Sequence, residues 1–217
     1  LAKEHPHHAA RAHYIASLDG MPAWTNTETR YFRVGEEMFS SMCDELQRAH
    51  KFIFLEYFII EEGVMWNTIL DILKCKAQQG VDVRVMYDDV GSIATLPQHY
   101  DRYLSSLGIR AVRFNRFIPT LNTYLNYRNH RKMMIIDGNV SYMGGINLAD
   151  EYINKKVRFG HWKDTAIMLK GEAVWNMTLM FLHMWSVVSR STETISYEKY
   201  LPHTYHPEAF ASSGFVQ

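Results

Sequence analysis

His130-Arg131-Lys132-Met133-Met134-Ile135-Ile136-Asp137-Gly138-Asn139-Val140-Ser141-Tyr142-Met143-Gly144-Gly145-Ile146-Asn147 is the stretch on which the reading of this chain turns. The Met- and Ile-rich residues 131–137 predict a strand ended by the turn signal Asp137-Gly138-Asn139, with the apolar residues 140–143 as its hairpin partner. Alternate side chains of a strand share a face, so His130 and Lys132 are expected to point the same way, about 6.6 Å apart at roughly 3.3 Å of rise per residue. An imidazole and an ammonium then flank one phosphate. A neutral His130 attacks phosphorus through a ring nitrogen, while Lys132, a compact charge with three donors, stabilises the oxygens as negative charge develops. That chemistry needs no metal, and no cofactor is expected. Asp137 falls on the opposite face by parity, with Met133 and Ile135, and is expected to hold backbone amides of the turn. Asn147 follows the pair Gly144-Gly145, which lets backbone come close to a phosphate, and its side-chain amide is a donor for a phosphoryl oxygen. The set occurs once in these 217 residues. Two sets facing each other supply both a nucleophile and a general acid, so one set is half a site.

Around this stretch, helices and strands alternate. Residues 36–50 predict a helix with Met38, Phe39, Met42, Cys43, Leu46 and Ala49 on one stripe, and the apolar run 52–60 predicts a buried strand. A helix over 64–79 stopped by Gly80, a strand over 81–87 ending in Asp88-Asp89, a helix over 98–107 stopped by Gly108 and a strand over 109–114 follow. Beyond the motif, 165–169 reads as a strand and 171–188 as a helix apolar nearly all round, either buried in the core or docking a further domain. The rhythm predicts an α/β fold with a mixed, largely parallel sheet covered by helices. The loop 115–129, with Pro119 and Asn122-Thr123-Tyr124, feeds the motif strand. A single domain over 31–188 is expected, with 1–30 leading into it and 189–217, where periodicity fades and Pro202 and Pro207 fall, as a linker or loosely packed tail.

His-x-Lys-x4-Asp followed by Gly-Gly-x-Asn resembles the signature of the phospholipase D superfamily, called the HKD motif after its three residues. The segments Glu36-Glu37-Met38, Phe52-Ile53-Phe54-Leu55-Glu56-Tyr57-Phe58, Val83-Arg84-Val85-Met86-Tyr87-Asp88-Asp89, Asn147-Leu148-Ala149-Asp150-Glu151-Tyr152 and Gly160-His161-Trp162-Lys163-Asp164-Thr165 are similar to those of bacterial cardiolipin synthases of that superfamily. The likeness runs over about residues 20–188 and corresponds to the first of their two phospholipase D domains. It implies a phospholipase D-like α-β-α sandwich. It also implies a phosphatidyltransferase that converts two phosphatidylglycerol molecules to cardiolipin and glycerol through a phosphatidyl-histidine on His130. The second motif, from another phospholipase D domain of the same chain or a homodimer mate, handles the protons, so the isolated chain is expected to be weak or inactive. By the same resemblance Asp164 accepts a hydrogen bond from His130 and fixes its tautomer. The full-length protein is expected at the bacterial cell membrane, held there by segments outside these residues. Glu56 and Asp88 lie at or near strand ends, and His161 and Trp162 belong to the matching pattern without a chemical role that the residues themselves reveal. A phospholipase D that passes the intermediate to water, a homodimeric nuclease, and a noncatalytic half that binds a phospholipid head group or a partner are the other readings.

Lys plus Arg equals Asp plus Glu at 23 each, so bulk charge gives no reason to expect nucleic acid. Local basic candidates are Arg110, Arg113, Arg116, Arg128, Arg131 and Lys132, then Lys155, Lys156 and Arg158. Cys43 and Cys75 are too few for a disulfide framework or a metal site and are expected to be reduced. No stretch approaches the roughly 18 consecutive apolar residues of a membrane span, so this part is expected to be soluble. His5, His7 and His8 fall in a polar start that reads as a flexible terminus.

Overall fold

The structure, a computed structural model, describes residues 6–19, 21–118, 126–190, 195–202 and 216. Along the chain run α1 (Pro6–Asp19), β1 (Thr27–Phe32), α2 (Gly35–Gln47), β2 (Phe52–Tyr57), α3 (Val64–Gln78), β3 (Asp82–Asp88), α4 (Tyr100–Ser106), β4 (Arg110–Phe114), β5 (Met133–Ile136), β6 (Val140–Gly144), β7 (Ala166–Gly171) and α5 (Val174–Ser189). Short 3-10 turns cover Asp150–Ile153 and Tyr197–Tyr200. His5, Pro119, Asn122-Thr123-Tyr124 and Pro207, singled out in the sequence, lie outside the described residues.

All seven strands join one sheet in the order β1-β7-β6-β5-β2-β3-β4. β2 is apolar at five of six positions and lies near the middle, buried along its whole length, as a strand covered on both faces must be. Its alternation separates two cores. Ile53, Leu55 and Tyr57 pack with Met42, Leu46, Trp66 and Leu73 of α2 and α3, while Phe52 and Phe54 pack with Phe181 and Trp185 of α5. Phe54 stacks on Phe181 with ring centroids 4.5 Å apart. The helix that is apolar nearly all round is thus the cover of the second face. The C-terminal end of α2 is closed by Lys76 of α3, a buried ammonium donating to the carbonyls of Gln47 and Ala49, where the helix dipole favours a cation.

The sheet is mixed, with helices on both faces. Its parallel part is smaller than expected, because only β2–β3 and β3–β4 pair in parallel and the other four pairings are antiparallel. The reason lies in the connections. Three residues join β5 to β6, far too few for the crossover that a parallel pair needs. Three further differences concern the ends. β1, TETRYF, is an edge strand exposed at its four central positions, so it lacks the apolar alternation by which strands are recognised, yet it pairs with β7 along its length. His7 and His8 belong to α1. Tyr200 stands in the region read as a loose tail, but it is buried in the second core, edge-on to Phe52 at 5.1 Å, and its hydroxyl donates to Asp82 at 3.0 Å. One aromatic anchor on a short 3-10 turn has no periodicity to read.

Candidate active site

His130, Arg131 and Lys132 run into the sheet just ahead of β5, whose ladder begins at Met133 rather than at 131. The structure still brings the first and third of them together, on the ring of Phe58, one residue past β2. The exposed His130 imidazole meets that ring edge-on with centroids 4.7 Å apart, and the Lys132 Nζ sits 5.2 Å from its centroid. Lys132 also folds back so that Nζ donates to the His130 carbonyl at 2.8 Å. Its residue is 6% exposed. Desolvation pushes the ammonium down to about 8, with the nearby Asp164 charge working in the opposite direction. A cation so poorly hydrated is eager for an anion.

The backbone ahead of His130 is held by two buried carboxylates, Glu56 and Asp88, that sequence reasoning mentioned without assigning a role. The Asn129 backbone N–H donates to Asp88 Oδ2 at 2.9 Å, and its side-chain Nδ2 donates to Glu56 Oε1 at 2.6 Å. Arg128 pairs with Asp88 at 3.2 Å and Arg131 with Glu56 at 3.4 Å. Burial pushes the Glu56 carboxyl up, against the Asn129 donor and the Arg131 charge. The signal for this support was a glutamate inside the apolar run Phe52-Ile53-Phe54-Leu55-Glu56-Tyr57-Phe58-Ile59-Ile60: an acid so placed needs a partner.

Asn147 does something other than the expected phosphate contact. Its carboxamide is buried, with Oδ1 accepting from the Ile59 N–H at 3.0 Å and Nδ2 donating to the Tyr152 hydroxyl at 2.7 Å. Asp150, three residues on, accepts from the N–H groups of Val64 and Met65 at the start of α3. Both residues therefore fix the loop that carries Phe58. Asp137 sits at the other end of β5 from His130, and its carboxylate accepts from the N–H groups of His50, Lys51 and Phe52 at 2.8, 2.8 and 2.9 Å. The amides it holds are those that lead into β2, not those of its own turn.

Asp164 lies against Gly145: a Cβ built there would stand 2.1 Å from Asp164 Oδ1, so only glycine allows this approach. The hydrogen bond that the carboxylate accepts comes from the Thr165 N–H, at 2.7 Å, and its charge is felt by Lys132. His130, Lys132, Gly144, Gly145 and Thr165 share the wall of a cavity of about 510 Å³ whose remaining lining is largely apolar, with Met133, Met143, Ile167 and Met180. A larger cavity of about 750 Å³ opens at the opposite end of the strands, around His50, Asp82 and Arg110. There Asp82, which burial alone would raise, is held low by the guanidinium groups of Arg84 and Arg110. The local basic candidates are mostly neutralised in the same way: Arg110 by Asp82, Arg113 and Arg116 by Asp101, Lys156 by Glu61 and Arg158 by Glu151.

Residues 42–185 match the family model described as cardiolipin synthase, PLD-like domain. The chain is 47% identical over its whole length to an uncharacterized protein of Streptococcus mutans, of which it covers 46%. It is 40% identical over 187 residues to cardiolipin synthase 2 of Bacillus anthracis, a match that takes in 85% of this chain and 36% of that enzyme. The chain thus spans less than half the length of these relatives. Among solved structures, NucT from Helicobacter pylori superposes with a TM-score of 0.59 at 14% identity, covering 75% of this chain and 98% of that one, a likeness of fold.

Proposed function

Because the chain belongs to the PLD-like domain family of cardiolipin synthase, we propose that it is one half of a phosphatidyltransferase site, with His130 as nucleophile. A His130 ring nitrogen attacks the phosphorus of phosphatidylglycerol. The P–O bond to the head-group glycerol breaks, the glycerol oxygen takes a proton from the histidine of a second HKD motif, and a phosphatidyl-histidine remains. That second histidine then removes a proton from a hydroxyl of another phosphatidylglycerol, which attacks phosphorus. The P–N bond breaks, cardiolipin leaves and His130 is restored. Lys132 neutralises the phosphoryl oxygens in both steps. Asp164 supports Lys132 electrostatically. The second motif comes from another domain of the polypeptide or from a second copy.

The observation that carries this reading is the pairing of His130 with a buried, poorly hydrated Lys132 on the ring of Phe58, in the wall of a cavity whose largely apolar lining includes Met133, Met143, Ile167 and Met180. The polar end matches a phosphodiester and the apolar walls match the glyceride beside it. The test is to incubate the chain with labelled phosphatidylglycerol, quench in base and search by mass spectrometry for a phosphatidyl group on His130. The adduct is expected in the parent and absent from His130→Ala; an unlabelled His130 in a chain supplied with a second motif refutes the assignment. Product analysis in the same sample separates transfer, which gives cardiolipin, from hydrolysis, which gives phosphatidic acid.

A further inference from the structure

His161 and Trp162, to which the chemistry gives no task, close a loop. Asn154, at a left-handed φ of 54°, clamps its base. Its Oδ1 accepts from the Trp162 N–H at 2.7 Å, and its Nδ2 donates to the Trp162 carbonyl at 3.0 Å and to Glu36 at 2.8 Å. The residues between stand out from a fixed foundation, and Val157 and Phe159 are each 81% exposed. Trp162 backs Phe159 at 6.1 Å and packs on Tyr152 at 5.2 Å, while the Arg158 guanidinium lies 5.3 Å from the Phe159 ring centroid. Single apolar side chains in water are ordinary. Two of them on a clamped loop, interleaved with Lys155, Lys156 and Arg158 and followed by Lys163, make a pattern that suits an interface with an apolar interior and an anionic surface. Glu61 and Glu151 offset Lys156 and Arg158, whereas Lys155 and Lys163 have no carboxylate partner among the described residues.

The loop borders the candidate active site. Asp164, two residues past Trp162, touches Gly145 in the cavity wall. Lys156 pairs with Glu61, in the same β2–α3 connection as Phe58, on which His130 rests. We propose that this loop seats the domain on a lipid surface carrying anionic head groups, with Val157 and Phe159 entering the boundary between head groups and acyl chains, and Lys155 and Lys163 meeting phosphates. This rests on the reading of the His130 cavity as lipid-handling and adds what brings that cavity to its substrate.

Vesicle co-sedimentation of the full chain tests it, using phosphatidylcholine vesicles with and without phosphatidic acid, an anionic lipid that has no head-group alcohol to lose. The chain is expected to bind the anionic vesicles, more weakly as salt rises. Val157→Ser with Phe159→Ser weakens partitioning by roughly tenfold or more while leaving the circular dichroism spectrum unchanged, since both side chains are in water. Lys155→Glu with Lys163→Glu weakens it and flattens the salt dependence. His130→Ala still binds. No binding by the parent, or equal binding by the Val157→Ser/Phe159→Ser variant, overturns the proposal. So does a parent that self-associates through the loop, with the variant monomeric and vesicle binding unaltered: the occupant is then a second copy. The His130 adduct assay, run with short-chain phosphatidylglycerol below its micelle concentration, keeps the two ideas apart. An adduct without vesicle binding sinks the loop alone, and vesicle binding with no adduct on a chain supplied with a second motif sinks the nucleophile alone.

Discussion

Lys132 is the residue whose chemistry is most exposed to pH. Its ammonium is pushed down to about 8 by loss of hydration, so it is charged below that pH and loses its proton as pH rises through it. Phosphatidyl transfer that depends on this charge is expected to decline through about pH 8. Lys132→Arg, which stays protonated far beyond that range, moves the alkaline limb upward whatever it does to the maximal rate. A parent profile that stays flat to pH 9.5 excludes a role for the charge. Linkage gives the sign for stability: between about 8 and the ordinary lysine value the unfolded chain binds more protons than the folded one, so the fold gains stability as pH rises across that window.

At the level of the element, β5 and its turn show how a motif residue serves the fold. Asp137→Ala removes the acceptor of three backbone N–H groups at the entrance to β2 and is expected to cost about 2–3 kcal/mol in urea unfolding, with Asp137→Asn costing less. Activity per folded molecule is expected to be preserved, and its selective loss at unchanged stability refutes the structural assignment. Much of this level was legible in the letters. The central strands and long helices announced themselves because burial on both faces leaves an unbroken apolar run, as in β2, and burial on one face leaves a stripe, as in α2. Parity set Asp137 on another face from His130 and Lys132, whereas what separates them is the length of β5, which spans only Met133–Ile136 and leaves Asp137 in the turn at a φ of 53°. The polar edge strand β1 and the Tyr200 anchor were not legible, since an edge leaves most side chains in water and a lone anchor has no period. The task of Asn147 was also out of reach: a carboxamide suits a phosphate and a backbone N–H equally, and only the position of Ile59, far away in sequence, decides between them.

At the largest scale, the single motif within these 217 residues makes activity, on the half-site proposal, a question of assembly. If two copies complete the site, the specific rate of this chain rises with its concentration and levels off as dimers saturate. A polypeptide carrying two motifs has a specific rate independent of concentration. A monomer of this chain working at the rate of such a polypeptide refutes the half-site reading. The sheet order has one more consequence, for the birth of the protein. Among the described residues β1 has β7 as its one neighbour in the sheet, with Thr27 opposite Gly171, and β2 must wait for β5 on one of its sides. On the ribosome the first strand is therefore made long before anything exists to zip against it. The sheet can close only when the seventh strand clears the exit tunnel, so the strand edges made between β1 and β7 stay open to other chains until that moment.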